Sequence, residues 1–213
     1  MNIINSFFEY SVIALIVINT FVYILRLKEN KNKKTYKLFC LYLFCALIIN
    51  ICVFTLAAFK ERNLFLSHYY FILQFVILSL FYRSLFTKPQ KRLVDILLVL
   101  IITILGFQFA ILPELYFKFN TTEVFITSSP IIVYSVIHLY NSLSKPSKYM
   151  YINIGVLVYL TISTLIFILG DYLSEVSYEA GKNIWFINKV MYASYLILIF
   201  IEWWKNFKTI KNK

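Results

Sequence analysis

Asn120-TTEVFITSSPIIVYSVIHLY-Asn141 is the stretch on which the reading of the whole chain turns. Among its polar or helix-perturbing positions are Glu123, Thr127, Pro130, Tyr134, His138 and Asn141. They follow one another at steps of four, three, four, four and three, the repeat of one face of an α-helix. The opposite face holds Val124, Phe125, Ile131, Ile132, Val136 and Ile137. An unsatisfied polar group in hydrocarbon is costly, so a membrane helix turns such a stripe away from lipid. The stripe predicts a helix at the inside of a bundle, with the other apolar segments packed about it.

Those other segments are easily found. Of 213 residues, 61% are hydrophobic and only 15% charged, which excludes an ordinary soluble domain. Apolar runs cover approximately 6–27, 38–58, 64–86, 93–112, 121–143, 149–169 and 184–204. Each is near the roughly twenty residues that span hydrocarbon as a helix. The expected fold is all-α: a single transmembrane domain, a bundle of seven transmembrane helices. No connection exceeds roughly fifteen residues, too little for a catalytic or DNA-binding module. The first segment lacks a basic leader and a small-residue cleavage site, so it is expected to be a retained helix.

The net charge of +11 is distributed by loop. Arg26, Lys28, Lys31, Lys33, Lys34 and Lys37 follow segment one, Lys88, Lys91 and Arg92 follow segment three, and Lys145 and Lys148 follow segment five. Glu61, Glu114, Asp171, Glu175 and Glu179 fall in the alternate loops. The positive-inside rule then places the N-terminus outside and the C-terminus in the cytoplasm, with Trp203 and Trp204 at the inner interface. The basic loops are too short to read nucleic acid, so membrane lipid is the expected partner of this charge. Heavy use of lysine, isoleucine, phenylalanine and asparagine points to a bacterial inner membrane. Cys40, Cys45 and Cys52 share one segment, cannot reach disulfide geometry with each other, and lack metal-site spacing. They read as packing residues, and no metal or cofactor is expected.

Glu9, His68, Gln74, Gln108, Glu123, Asp171, Asn188 and Lys189 fall in the outer half of the spans or at its edge. An ionisable group within a span is a functional candidate whose partner has to be named. Lys189 lies about six residues into segment seven, roughly 9 Å below its outer end, and Glu9 or Glu123 would match its depth. The candidate ligand site is Glu9, His68, Gln74, Gln108, Glu123, Tyr134, Asn188 and Lys189. The competing reading is a structural ion pair, or a lysine that snorkels to the interface. His138, Asn141, Asn153 and Tyr159 read as polar helix-packing residues. Pro130 is the only proline inside a span, and so marks the one obvious kink.

A lysine on a seventh helix invites comparison with microbial rhodopsins. Their aspartate one turn earlier is Trp185 here, and segment three has no carboxylate. FILGDYLSEV, with Asp171, resembles one aspartate motif of the lysoplasmalogenase family, which would imply a lipid-modifying enzyme. The family's second aspartate motif has no counterpart in segments two and three. There is no His-Glu-x-x-His, Gly-x-Ser-x-Gly or Gly-rich phosphate loop. In the C-terminal half, Phe119-Asn120 with Glu123, the run Tyr151-Ile152-Asn153-Ile154-Gly155-Val156-Leu157-Val158-Tyr159, and Trp185-Phe186-Ile187-Asn188 follow in order. These resemble uncharacterised seven-helix integral membrane proteins of Bacteroidota, often encoded near sensor histidine kinases. Asn188 or Lys189 stands where that group usually has a histidine. The resemblance implies a signalling role.

The expected function is a non-enzymatic membrane sensor or accessory subunit with an outward-facing polar pocket. It would act through a protein partner, a histidine kinase or a larger membrane complex. A small transporter or channel would instead line a water path with the stripe. A lipid-modifying enzyme would bring Asp171 to a second carboxylate.

Overall fold

The computed structural model describes residues 2–30, 33–143, 148–176 and 178–208, with side chains for all but 2–6 and 171–182. The described residues are helical, with no strand. The helices are α1 (Asn2–Leu25), α2 (Lys34–Ala58), α3 (Leu66–Leu85), α4 (Lys88–Ile111), α5 (Thr121–Leu143), α6 (Met150–Val176) and α7 (Tyr178–Asn206). A short 3-10 segment, Pro113–Phe117, joins α4 to α5.

Six of these helices are long and apolar enough to cross a membrane, and α3 is not among them. The reason is its composition: His68, Tyr69, Tyr70, Gln74, Ser79, Tyr82 and Arg83 lower its hydropathy. His68, Gln74, Ser79 and Tyr82 are nevertheless buried, along with Phe71, Phe75, Leu78 and Phe81. A helix covered by protein is free to carry polar groups that lipid would reject. The exposed surface of α4 shows the opposite character, with Ile96, Val99 and Phe107 all more than half exposed. Six such helices point to a multi-pass membrane protein in contact with lipid.

Several helix boundaries differ from the sequence expectation. Residues 170–176 continue α6, and α7 begins at Tyr178, where a loop was expected over 170–183. Polarity ends a membrane span but does not end a helix, and this stretch has no proline to do so. Likewise α4 begins at Lys88, inside the expected loop. Pro89 is tolerated in the first turn, and Thr87 N–H donates back to Gln90 Oε1 at 3.1 Å.

The chain divides into two compact units: Asn30–Tyr134, and Met1–Glu29 with Ser135–Lys213. The division falls within α5.

In the unit Asn30–Tyr134, α3 packs against both α2 and α4, and the 3-10 segment lies against α4. Phe39 of α2 meets Phe81 of α3 at 5.5 Å between ring centres. Tyr134 of α5 meets Tyr82 of α3 at 6.2 Å. Arg83 of α3 grips Asp95 of α4 with two hydrogen bonds, at 2.5 and 3.0 Å. The tight connection from α2 to α3 starts from Lys60 in the left-handed conformation, φ 58°. There Lys60 N–H donates to Ala57 and Glu61 N–H to Leu56, so the last carbonyls of α2 are satisfied.

In the other unit, α7 packs against both α6 and α1. Asn19 of α1 donates through Nδ2 to the Leu196 carbonyl at 2.9 Å, and Tyr23 donates through its hydroxyl to the Ile199 carbonyl at 3.2 Å. One turn apart on α1, these two stitch it to the backbone of α7. The approach of α6 to α7 depends on Gly155. A Cβ there would sit 2.7 Å from Cδ2 of Tyr195. That ring cannot swing aside easily, because it stacks on Tyr159 at 5.4 Å with the planes 4° apart. Gly155→Ala should therefore force α6 away from α7 and cost about 1–3 kcal/mol. A lowered midpoint of thermal unfolding in detergent, against an unchanged midpoint for Gly106→Ala, would show it; Gly106 has open space around its Cα.

Candidate functional site

The stripe of α5 is buried at Glu123, Thr127, Pro130, Tyr134 and His138. Asn141, expected to continue it, is exposed in the last turn of the helix. On the opposite, apolar face, which suits lipid or neighbouring apolar helices, Val124 and Ile131 are buried and Phe125 and Val136 about half exposed.

Asn120 precedes the first turn of α5 and accepts the Glu123 N–H through Oδ1 at 3.2 Å. This is an N-cap to the third helical residue. In a capping box, Glu123 would reach back to the Asn120 N–H. Instead its Oε2 meets Nδ1 of His68, on α3, at 2.5 Å. Both side chains are almost fully buried, at 5% and 1% exposed. The contact needs one proton between the two atoms. Aromatic rings surround it. Phe109 of α4 meets the His68 ring edge-on at 5.2 Å, and Tyr116 of the 3-10 segment stacks on it at 6.1 Å. Tyr116 is held in turn by the Tyr69 hydroxyl at 3.2 Å and by stacking on Phe65 at 5.9 Å. The hydrogen bond to Tyr69 pushes the Tyr116 phenol above its ordinary pKa.

The pair does not use up its polar atoms. His68 Nε2, Glu123 Oε1 and Asn120 Nδ2 are all buried and have no hydrogen-bond partner among the described residues. Buried polar atoms of that kind are uncommon in native proteins.

The remaining candidates distribute as follows. Glu9 of α1 pairs with Lys189 of α7. The Lys189 and Glu9 side chains are 32% and 51% exposed, and an ion pair so open to solvent contributes at most about 1 kcal/mol. Gln74 donates to the Tyr70 hydroxyl at 3.1 Å and the Tyr42 hydroxyl at 3.4 Å. Beside it, Tyr42, Cys45, Ala46, Ile49 and Leu73 line a shallow groove with room for about one water, far below the range of ordinary ligand sites. Tyr134 is fully buried between Tyr82 and Phe86, with Ser79 as its polar neighbour. Gln108 Oε1 and Asn188 Oδ1 are buried without a partner among the described residues. His138 hydrogen-bonds the backbone of Lys148. Asn153 and Ser135 clamp α6 to α5 reciprocally: Ser135 Oγ donates to Asn153 Oδ1 at 2.9 Å, and Asn153 Nδ2 donates to the Ser135 carbonyl at 3.1 Å. Tyr159 stacks with Tyr195 and Tyr192. The side chain of Asp171, and with it the lysoplasmalogenase-like motif, lies outside the described residues. No group of three or more metal-ligating side chains occurs among the described residues.

One residue of consequence escapes the sequence reading. Glu202 of α7 is fully buried. Its Oε1 accepts the Tyr149 N–H at 2.8 Å and Asn206 Nδ2 at 2.6 Å, and its Oε2 accepts the Tyr151 N–H at 3.0 Å. It thus caps the N-terminus of α6 from another helix, at the positive end of the α6 dipole. Tyr149 adopts φ 70°, a strained value for tyrosine, and its ring rests on Phe207 at 5.5 Å. A signal existed: a glutamate near the C-terminal end of its own helix is disfavoured by that helix's dipole, so it implies a partner elsewhere.

No family model matches this chain, and neither a curated protein nor a solved structure is significantly similar to it.

Two results are expected. His68→Ala and Glu123→Ala should each destabilise the protein by about 3 kcal/mol, because each leaves a buried partner unpaired. The double variant should lose clearly less than the sum, which a double-mutant cycle of thermal or denaturant unfolding measures. Glu202→Ala should cost about 2–4 kcal/mol by orphaning two backbone N–H groups, while Glu202→Gln recovers part of the loss.

Proposed function

We propose that the protein is a seven-span integral membrane protein of the bacterial inner membrane, N-terminus outside and C-terminus cytoplasmic. In this reading α3 is the seventh span, shielded from lipid by its neighbours. The protein acts as a sensor or accessory subunit without catalysis of its own, and its output passes through a partner such as a histidine kinase or a larger membrane complex. The resemblance of its C-terminal half to seven-helix proteins encoded near such kinases supports the same partner class.

The observation that carries this reading is the buried His68–Glu123 pair with unspent polar atoms. Three chemically different groups face inward at the start of α5: an imidazole nitrogen, a carboxylate oxygen and an amide NH₂. A small polar ligand with both donors and acceptors would bind them after displacing Tyr116. Such a ligand bonds to the residues that hold α3 against α5, so its binding alters that contact. Signalling of this kind needs a differential affinity for two states, which a contact made in one and broken in the other provides. Pro130, one helical hydrogen bond short, lets α5 respond.

Glu123→Gln tests the site. It keeps the shape and one hydrogen bond to His68 but removes the carboxylate. Folded protein is expected, at near-native yield, with the output of the partner lost or locked. Affinity purification of the full chain from native membranes should return a stoichiometric partner protein. Repeated recovery of the chain alone would defeat the accessory-subunit reading. A reporter fused after Lys213 should be active only on the cytoplasmic side; activity outside would invert the orientation and place His68 and Glu123 at the inner face.

A further inference from the structure

The C-terminal end of α7 holds a second constellation, independent of the His68–Glu123 site. Ile197, Ile201 and Trp204 follow at steps of four and three, which is one helical face, and Lys208 lies just beyond the end of α7. Ile197 is 47% and Trp204 52% exposed. The Lys208 ammonium sits 3.1 Å from the centre of the Trp204 ring. Next to it on α7, Lys205 donates to the Tyr151 hydroxyl at 2.5 Å and lies 4.6 Å from the centre of that ring. Neither lysine meets a carboxylate among the described residues. The adjacent acid, Glu202, is buried and spends both oxygens on Tyr149, Tyr151 and Asn206.

One ammonium group is thus laid over an aromatic ring and the other is bonded to a phenol hydroxyl, each with N–H donors to spare. Their side chains are already ordered, so an anion that met them would cost little further rotamer freedom. Below them runs a partly exposed apolar strip, with Ile201 half-buried between Ile197 and Trp204. From Trp204 to Ile197 is roughly 10 Å along the helix. A phosphate at one end and hydrocarbon along the other is the pattern of a phospholipid.

We propose that this face binds an anionic phospholipid. Its headgroup phosphate lies between Lys205 and Lys208, its glycerol region against Trp204, and the start of one acyl chain along Ile201 and Ile197. An acidic peptide would match the ammonium groups but leave the apolar strip bare. Free phosphate would not engage Trp204 or the strip.

Native mass spectrometry of the full chain, titrated in detergent with phosphatidylglycerol or phosphatidylcholine, tests this. Phosphatidylglycerol should be retained preferentially. Lys205→Gln and Lys208→Gln should each reduce its retention about fivefold, and the pair together by more. Lys205→Arg with Lys208→Arg should retain it. Trp204→Ala should reduce it without any change of charge, and excess inorganic phosphate should not displace it. Equal retention of the two lipids by the native chain would overturn the proposal. So would undiminished retention in the folded glutamine variants, or displacement by phosphate alone. Circular dichroism establishes folding of each variant, and the single variants decide if the double one does not fold.

Discussion

Lipid tails are as apolar as leucine, so a membrane helix gains little by exchanging lipid for an apolar neighbour. What discriminates one helix pairing from another is the fate of the polar groups, which hydrocarbon cannot satisfy. The contacts of this protein follow that rule. Asn19 and Tyr23 bind carbonyls of α7, and so place α1. Ser135 and Asn153 exchange hydrogen bonds, and so register α5 against α6. His68 and Glu123 do the same for α3 and α5, Arg83 and Asp95 for α3 and α4. The aromatic and aliphatic side chains then fill the space between helices that these bonds have already chosen.

Two buried glutamates show how the same device divides into structure and function. Glu202 accepts three hydrogen bonds and leaves no oxygen idle. Its whole capacity goes into closing the end of α6 and holding Tyr149 in a strained backbone conformation. Glu123 uses one oxygen on His68 and keeps the other buried and unused. A group that is fully spent has nothing to offer a ligand. A group half spent, beside an imidazole and an amide in the same condition, has. That contrast, and not burial or charge, is why Glu123 belongs to the candidate site and Glu202 is a brace.

Much of this was legible in the sequence, and the failures share one cause. The polar stripe of α5 could be read because helical periodicity is a local property, and its buried part runs from Glu123 to His138. Asn141 breaks the pattern because the buried face passes from His138 to Ser142, four residues on, and leaves Asn141 exposed beside it. The extension of α6 to Val176 went unseen because a drop in hydropathy marks a change of surroundings, not the end of a helix. Lys189 was rightly in want of a carboxylate, but depth alone could not choose between Glu9 and Glu123. Glu202 was passed over because its partner is the backbone start of a helix about fifty residues earlier, which no side-chain pattern announces.

By itself the sequence determined that the chain is built of long apolar helices and that α5 buries one face from Glu123 to His138; it implied seven spans, of which six are apolar enough to cross a membrane. Hydropathy and period suffice for that, since each concerns a residue and its near neighbours. Only the tertiary structure decided that Glu123 belongs to His68, 55 residues away, and Lys189 to Glu9, 180 residues away. It also decided that α3, polar enough to fall short as a span, has nearly half its residues buried. Partnership between distant polar groups depends on which helices meet, and that is settled by all the helices together as they compete to satisfy their buried donors and acceptors.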